Sequence, residues 1–265
     1  MARRFIDLSI AIDNDVISDP PNLRPKITYH RHQDTFPQMA PFFPGLQRSD
    51  LPDGEAWAVE DITLTTHSGT HMDAPWHYHS TSGGVRAPTI DEAPLDYCYK
   101  PGVKLDFRRF EDGYVATQAD IQAELKRIGY KLKPLDIVLV NTSAGARLGQ
   151  PDFVDAGCGI GREATLWLLS QGIKVVGTDA WSWDAPFSHT AKKYAQTQDA
   201  SLIWQGHKAG KEAPYFQMEK LGQLEHIPPH GFDVICFPVK IKAAGAGWTR
   251  CVAAFEDKKR SFWFF

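Results

Sequence analysis

No charge of one sign dominates this chain. Its 29 basic and 32 acidic residues leave a formal net charge of −3, which excludes the broad basic surface that nucleic acid or an anionic membrane would require. No apolar run approaches the ~20 residues of a membrane-spanning helix. Cysteine is scarce, and Cys98, Cys158, Cys236 and Cys251 form no Cys-x-x-Cys pair. The four read as reduced, mostly buried thiols. Internal repeats and Gly/Ser-rich linkers are also lacking, so residues 1–265 are expected to form a single domain. The basic start Met1-Ala2-Arg3-Arg4 is not followed by an apolar signal core, because Asp7 and Asp13 interrupt it; a cytoplasmic location is expected.

What is present is concentrated. The stretch His67-Ser68-Gly69-Thr70-His71-Met72-Asp73-Ala74-Pro75-Trp76-His77-Tyr78-His79 holds four of the ten histidines and an aspartate. Imidazole and carboxylate are ligands that zinc, manganese and iron all accept. The His67-x3-His71 spacing lacks the glutamate of the helical zinc-protease motif, and Ser68-Gly69-Thr70 is a poor helix segment. The expected geometry is a strand end that turns sharply, with His67, His71 and Asp73 converging from the bend. Pro75 then leaves Asp73-Ala74 extended. Three ligands leave coordination positions open for water, which is the catalytic arrangement. His77 lies beyond the proline turn, and its ordinary pKa suits a general base. His79 reads as a second-sphere or exposed residue.

Around this motif the chain reads as strands with interspersed helices, an α/β or α+β pattern. Strands are expected over Phe5–Ile10, Ala58–Thr66 (Ile62 and Leu64 on one face), Leu135–Val140, Ile173–Thr178, Asp233–Ile241 and Thr249–Glu256. A capping box at Thr117-Gln118-Ala119-Asp120 opens one helix. A second helix spans Arg162–Gln171 and ends at Gly172, and a third spans Thr190–Gly206, stopping just before His207. The proline-rich segment Pro20–Pro52 reads as a long irregular loop whose Phe36, Phe42 and Phe43 argue against plain disorder. Gly157-Cys158-Gly159-Ile160-Gly161 lacks the full Gly-x-Gly-x-x-Gly pattern and reads as a loop entering a helix, with an oxyanion or packing role.

The run HSGTHMDAPWH resembles the signature of the cyclase family of metal-dependent hydrolases, which includes kynurenine formamidase and isatin hydrolase. The shared pattern is His-x-Gly-Thr-His-x-Asp-x-Pro-x-His, and every fixed position is matched here. The resemblance implies a swivelling β/β/α fold, with a mixed sheet and flanking helices. It implies that His67, His71 and Asp73 are metal ligands and that His77 is the acid/base. It further implies that His207 and Glu219, twelve residues apart, belong to a second metal position bridged by Asp73, or that Glu219 supports the first. Manganese or zinc is the implied cofactor, and a homodimer or homotetramer the implied assembly. Trp57-Ala58-Val59-Glu60, the motif's Ala74–His79 end and Gly177–Asp184 make isatin hydrolase the nearer likeness, implying isatin as substrate and isatinate as product.

Trp57 and Trp76 flank the motif and are expected to wall a pocket for a small aromatic or heterocyclic substrate. Phe42 and Phe43 are placed to close it, from this chain or a neighbouring subunit. Trp181 and Trp183 follow a strand end at Asp179, while Asp179 and Asp184 read as turn or cap residues. One rival is an arylformamidase acting on N-formylkynurenine, whose charged end Arg147 or Lys208 would grip; other cyclic amides and lactones remain open as substrates. A metal-dependent oxygenase built on His77 and His79 lacks the downstream glutamate that it needs. A non-catalytic metal-binding protein is the remaining alternative.

Overall fold

The computed structural model describes residues 3–256. Nine strands form one mixed sheet: β1 (Arg3–Asp7), β2 (His71–Asp73), β3 (Tyr99–Asp106), β4 (Ile137–Asn141), β5 (Val175–Thr178), β6 (Phe216–Glu219), β7 (His230–Ile235), β8 (Ala246–Trp248) and β9 (Val252–Glu256). Their order is β1-β9-β7-β3-β4-β5-β6-β2-β8. The centre, β3 to β6, is parallel, and antiparallel pairs complete both flanks. Just past β1, Ser9 bridges Leu221 beyond β6, so the sheet curls toward itself.

The central strands read as unbroken apolar runs because both of their faces are covered. Ile137 and Leu139 face one core with Met72, Met218, Phe232 and Val234. Val138 and Val140 face the other, where helices α1 (Gln118–Arg127) and α2 (Arg162–Ser170) contribute Ile121, Leu125, Ala164 and Leu168. Thr117 caps α1 in the expected capping box, and Gly172, at φ +87°, follows the end of α2. All four cysteines are buried and none is in a disulfide. Among the described residues, no helix is long and apolar enough to cross a membrane.

Three expectations need correction. Residues 190–206 do not make one helix. Helix α3 (Phe187–Thr197) stops at Gln198, which turns left-handed at φ 55°, and a new helix, α4 (Gln205–Glu212), begins after Trp204 at φ 58°. His207 therefore sits inside α4 rather than after a helix. The strand leading to the metal motif, Val59–Thr63, is not in the main sheet. It pairs with Lys26–His30, a strand inside the segment expected to be irregular, and this outlying hairpin leaves Ile62 exposed. The motif itself runs into a core strand instead of out of one: a turn carries His67, and β2 carries His71 and Asp73.

Candidate metal centre

The site begins with strand periodicity. Side chains two apart on a strand share a face, so His71 and Asp73 project together while Met72 points into the core on the other side. Antiparallel β6 sets Glu219 opposite His71 and Gln217 opposite Asp73. Cross-strand neighbours of this kind stand close enough to share an ion. His67 reaches the same point from the preceding turn, where Gly69 takes φ +64°.

The donor atoms converge. His67 Nδ1 lies 2.9 Å and His71 Nε2 3.1 Å from Asp73 Oδ1, and the two ring nitrogens are 3.3 Å apart. Tetrahedral nitrogen and oxygen ligands about 2 Å from zinc are themselves about 3.3 Å apart. Asp73 Oδ1 is buried and accepts no hydrogen bond, so the cluster has the shape and the unsatisfied charge that a cation would satisfy. Glu219 Oε2 stands 3.5 Å from His71 Nε2. His71 Nδ1 contacts the Gly69 carbonyl at 2.9 Å, which turns Nε2 toward the cluster.

His207, Asp73 and Glu219, expected to form a second metal position, are joined through Gln217. The side-chain nitrogen of Gln217 lies 2.8 Å from His207 Nε2, 3.2 Å from Asp73 Oδ2 and 2.9 Å from Glu219 Oε1. The amide thus lies among the three side chains expected to form a second metal position. His207 Nδ1 is hydrogen-bonded to Asp184, whose other oxygen accepts the Gly206 N–H at 2.7 Å. Asp184 therefore caps α4 and fixes the His207 ring at once.

Electrostatics follow burial and charge. Burial lowers the pKa of His77 to about 4; the Asp73 carboxylate opposes this and neighbouring His67 and His207 reinforce it. His77 is thus uncharged at neutral pH. For His67, burial also favours the neutral ring, but close contact with the charged Asp73 carboxylate outweighs it and the pKa rises. Burial would raise Asp73, yet His71 and His67 hold it well below the usual carboxylate range. Glu219 is raised by burial and by the Asp73 charge. His207 is raised because Asp184 outweighs its burial.

A cavity of about 280 Å³ opens over this cluster, lined in part by His67, His77, Trp181, Phe187, Trp204 and Glu219. His77 stands beside this cluster, its ring centroid 4.1 Å from that of His67. The aromatic walls differ from those expected. Trp57, Trp76, Phe42 and Phe43 do not line the cavity; all four are exposed, and Phe42 meets Trp57 edge-on at 6.1 Å. Trp57, Phe42 and Phe43 ride on the excursion between Lys26 and Thr63, and Trp76 is exposed on the one-turn helix Pro75–Tyr78. The sequence offered no periodic signal for Trp204 or Phe187, which tertiary packing brings in.

Lys220 and Asp19 were also missed. They form a buried ion pair in the cavity wall, and Lys220 Nζ also donates to the His67 carbonyl. A lone lysine beside Glu219 carries no such signal in the sequence. His79 is exposed and contacts Thr81, so it does not join His77 in a ligand pair. Gly159 packs against the Asp184–Ala185 backbone, where an added Cβ would lie 1.8 Å from the Ala185 nitrogen. The glycine-rich loop thus has a packing role.

The family model named Cyclase matches residues 6–185, a span that includes His67, His71, Asp73 and His77. A kynurenine formamidase of Erythrobacter litoralis (strain HTCC2594) is 28% identical over 204 residues, 76% of this chain and 79% of that protein. Isatin hydrolase A from Ralstonia solanacearum shares the fold with a TM-score of 0.72 at 22% identity, over 96% of this chain and 92% of that one. An isatin hydrolase solved with the product analogue thioisatinate gives 0.71 at 20% identity, over 95% and 92%.

Proposed function

The chain belongs to the cyclase family, and we propose on that footing that it is a metal-dependent hydrolase that opens a cyclic amide, with isatin as substrate and isatinate as product. The observation that carries this reading is the unsatisfied Asp73 Oδ1 between His67 and His71, with neutral His77 beside it in one cavity.

His67, His71 and Asp73 would hold one divalent cation, manganese or zinc by their nitrogen and oxygen donors. That ion would supply a water of lowered pKa and positive charge opposite a developing oxyanion. His77 accepts the proton of the attacking water and returns it to the leaving nitrogen. Glu219 supports this single site, and the Gln217 amide ties Glu219, Asp73 and His207 together. Trp181, Trp204 and Phe187 supply apolar walls for a flat ring.

The cavity favours a neutral heterocycle over N-formylkynurenine. Lys220 in its wall is committed to Asp19 and the His67 carbonyl. Arg147 pairs with Asp152 and Asp112, and Lys208 donates to the Ala200 carbonyl; neither lines the cavity. Among the described residues, no free cation in this wall is therefore offered to an amino acid's carboxylate. The exposed Tyr29, Phe42, Phe43 and Ile62 of the outlying excursion support assembly as a homodimer or homotetramer. The test is ring opening of isatin, followed by loss of its visible absorbance, with metal-stripped protein reloaded with manganese or zinc and with N-formylkynurenine in parallel. Metal-dependent loss of isatin alone is expected; turnover of the formamide alone would replace this reading with a formamidase.

A further inference from the structure

Beside the metal cavity lies a second concavity of about 360 Å³, lined by Phe187, Thr190, Ala191, Tyr194, Ile203 and Trp204. It shares two walls, Phe187 and Trp204, with the metal cavity. Among the described residues no charged side chain lines it, so burying a charged group there would leave that charge uncompensated, whereas an apolar group would be accepted.

Trp204 is the partition between the two spaces, and its backbone is unusual. It holds φ 58°, ψ 45°, a left-handed conformation that bulky residues resist and that clusters at functional sites. Its ring stacks on His207 at 4.5 Å and 15° and meets His77 edge-on at 5.6 Å. The strained conformation thus fixes an indole between the proposed base and the apolar compartment. Sites that enclose a whole drug-sized ligand run to about 300–1,000 Å³. The metal cavity alone falls just short of that range, and the two spaces together fall well inside it.

We propose that the apolar compartment is a substrate subsite, taking an uncharged aryl or alkyl substituent carried by the amide whose ring lies in the metal cavity, with Trp204 as the wall that the substituent passes. This rests on the hydrolase reading and narrows it, from a bare bicyclic amide to one with an apolar extension.

The test compares binding of the unreactive lactam oxindole with oxindole bearing a benzyl group on nitrogen or at ring position 5, by calorimetry on the metal-loaded protein. Ala191→Phe and Ile203→Trp each fill the compartment from a different element, and circular dichroism checks their folding. At least one benzyl compound is expected to bind about tenfold or more tighter than oxindole, as burial of a phenyl ring would give, and the advantage is expected to collapse in both variants. Equal affinity of all three ligands for the unaltered protein would overturn the proposal and leave the compartment to side chains of a second copy. An advantage that survives in both folded variants would overturn it as well. If the benzyl advantage behaves as expected while isatin is not opened, the subsite stands and the proposed reaction falls.

Discussion

Oδ1 of Asp73 lies 3.1 Å from Nε2 of His71, yet it accepts no hydrogen bond. A buried acceptor left in that condition costs about 1–3 kcal/mol, a cost that a bound cation removes. Stripping metal with a chelator should therefore abolish activity and lower the melting temperature, and a cation at 1,000 times its Kd should restore about 4 kcal/mol. His71→Ala should lose metal and activity together. A fully active chelated enzyme would sink the metal assignment.

His77→Ala should keep the metal, since His67, His71 and Asp73 are untouched, while kcat falls roughly 10²–10⁴-fold, the usual contribution of a positioned base. Metal analysis and steady-state kinetics on the same preparation separate the two effects. Unchanged kcat at all pH values would move the base elsewhere.

Because Gln217 fills the space between Asp73, His207 and Glu219, the protein should bind one equivalent of metal per chain. Gln217→Ala should admit a second under excess metal. Two equivalents in the unaltered protein, counted by mass spectrometry of the native state, would contradict the role given to the amide.

Gly159→Ala would drive a Cβ into the backbone of Asp184 and Ala185. Overpacking against backbone should cost about 3 kcal/mol or more. It should also disturb His207, which Asp184 orients. Denaturant melts would show the loss; an unchanged midpoint would mean that this contact is soft.

Asp179 makes a prediction about pH. Burial raises its pKa to about 7, although Thr142 and Asn141 donate to it. The folded value lies above the unfolded one of about 3.9, so the folded state keeps a proton that the unfolded state has lost. Stability from this group is full below about pH 4, falls as pH rises toward about 7, and is then flat. Asp179→Asn should flatten that window and stabilise the protein at neutral pH, by at most roughly 4 kcal/mol. Asn141 Oδ1, which has no partner, is available to the new amide if Asn141 turns over. An unaltered pH slope in the variant would remove Asp179 as its source.

His67, His71, Asp73 and His77 were legible because they lie within eleven residues, where a turn and a proline leave few ways for the chain to run. The strands around Val138 and Val176 were legible because a strand buried on both faces must be apolar throughout. The register that puts Glu219 opposite His71 and Gln217 opposite Asp73 was not legible, since β6 lies far along the chain and its polar residues look like any polar pair. The break between α3 and α4 was hidden for another reason. Gln198 and Trp204 adopt left-handed angles that their side chains do not announce.

The sequence by itself determined the ligand types, the candidate base and the alternation of strands and helices, because those depend on residues near one another along the chain. Tertiary structure alone decided that the Gln217 amide lies among Asp73, His207 and Glu219, that Asp184 holds His207, and that Trp181, Trp204 and Phe187 line the cavity of this chain. Those relationships arise where separate segments meet. Which segments meet is set by strand pairing and core packing summed over the whole chain, and no short pattern carries that sum.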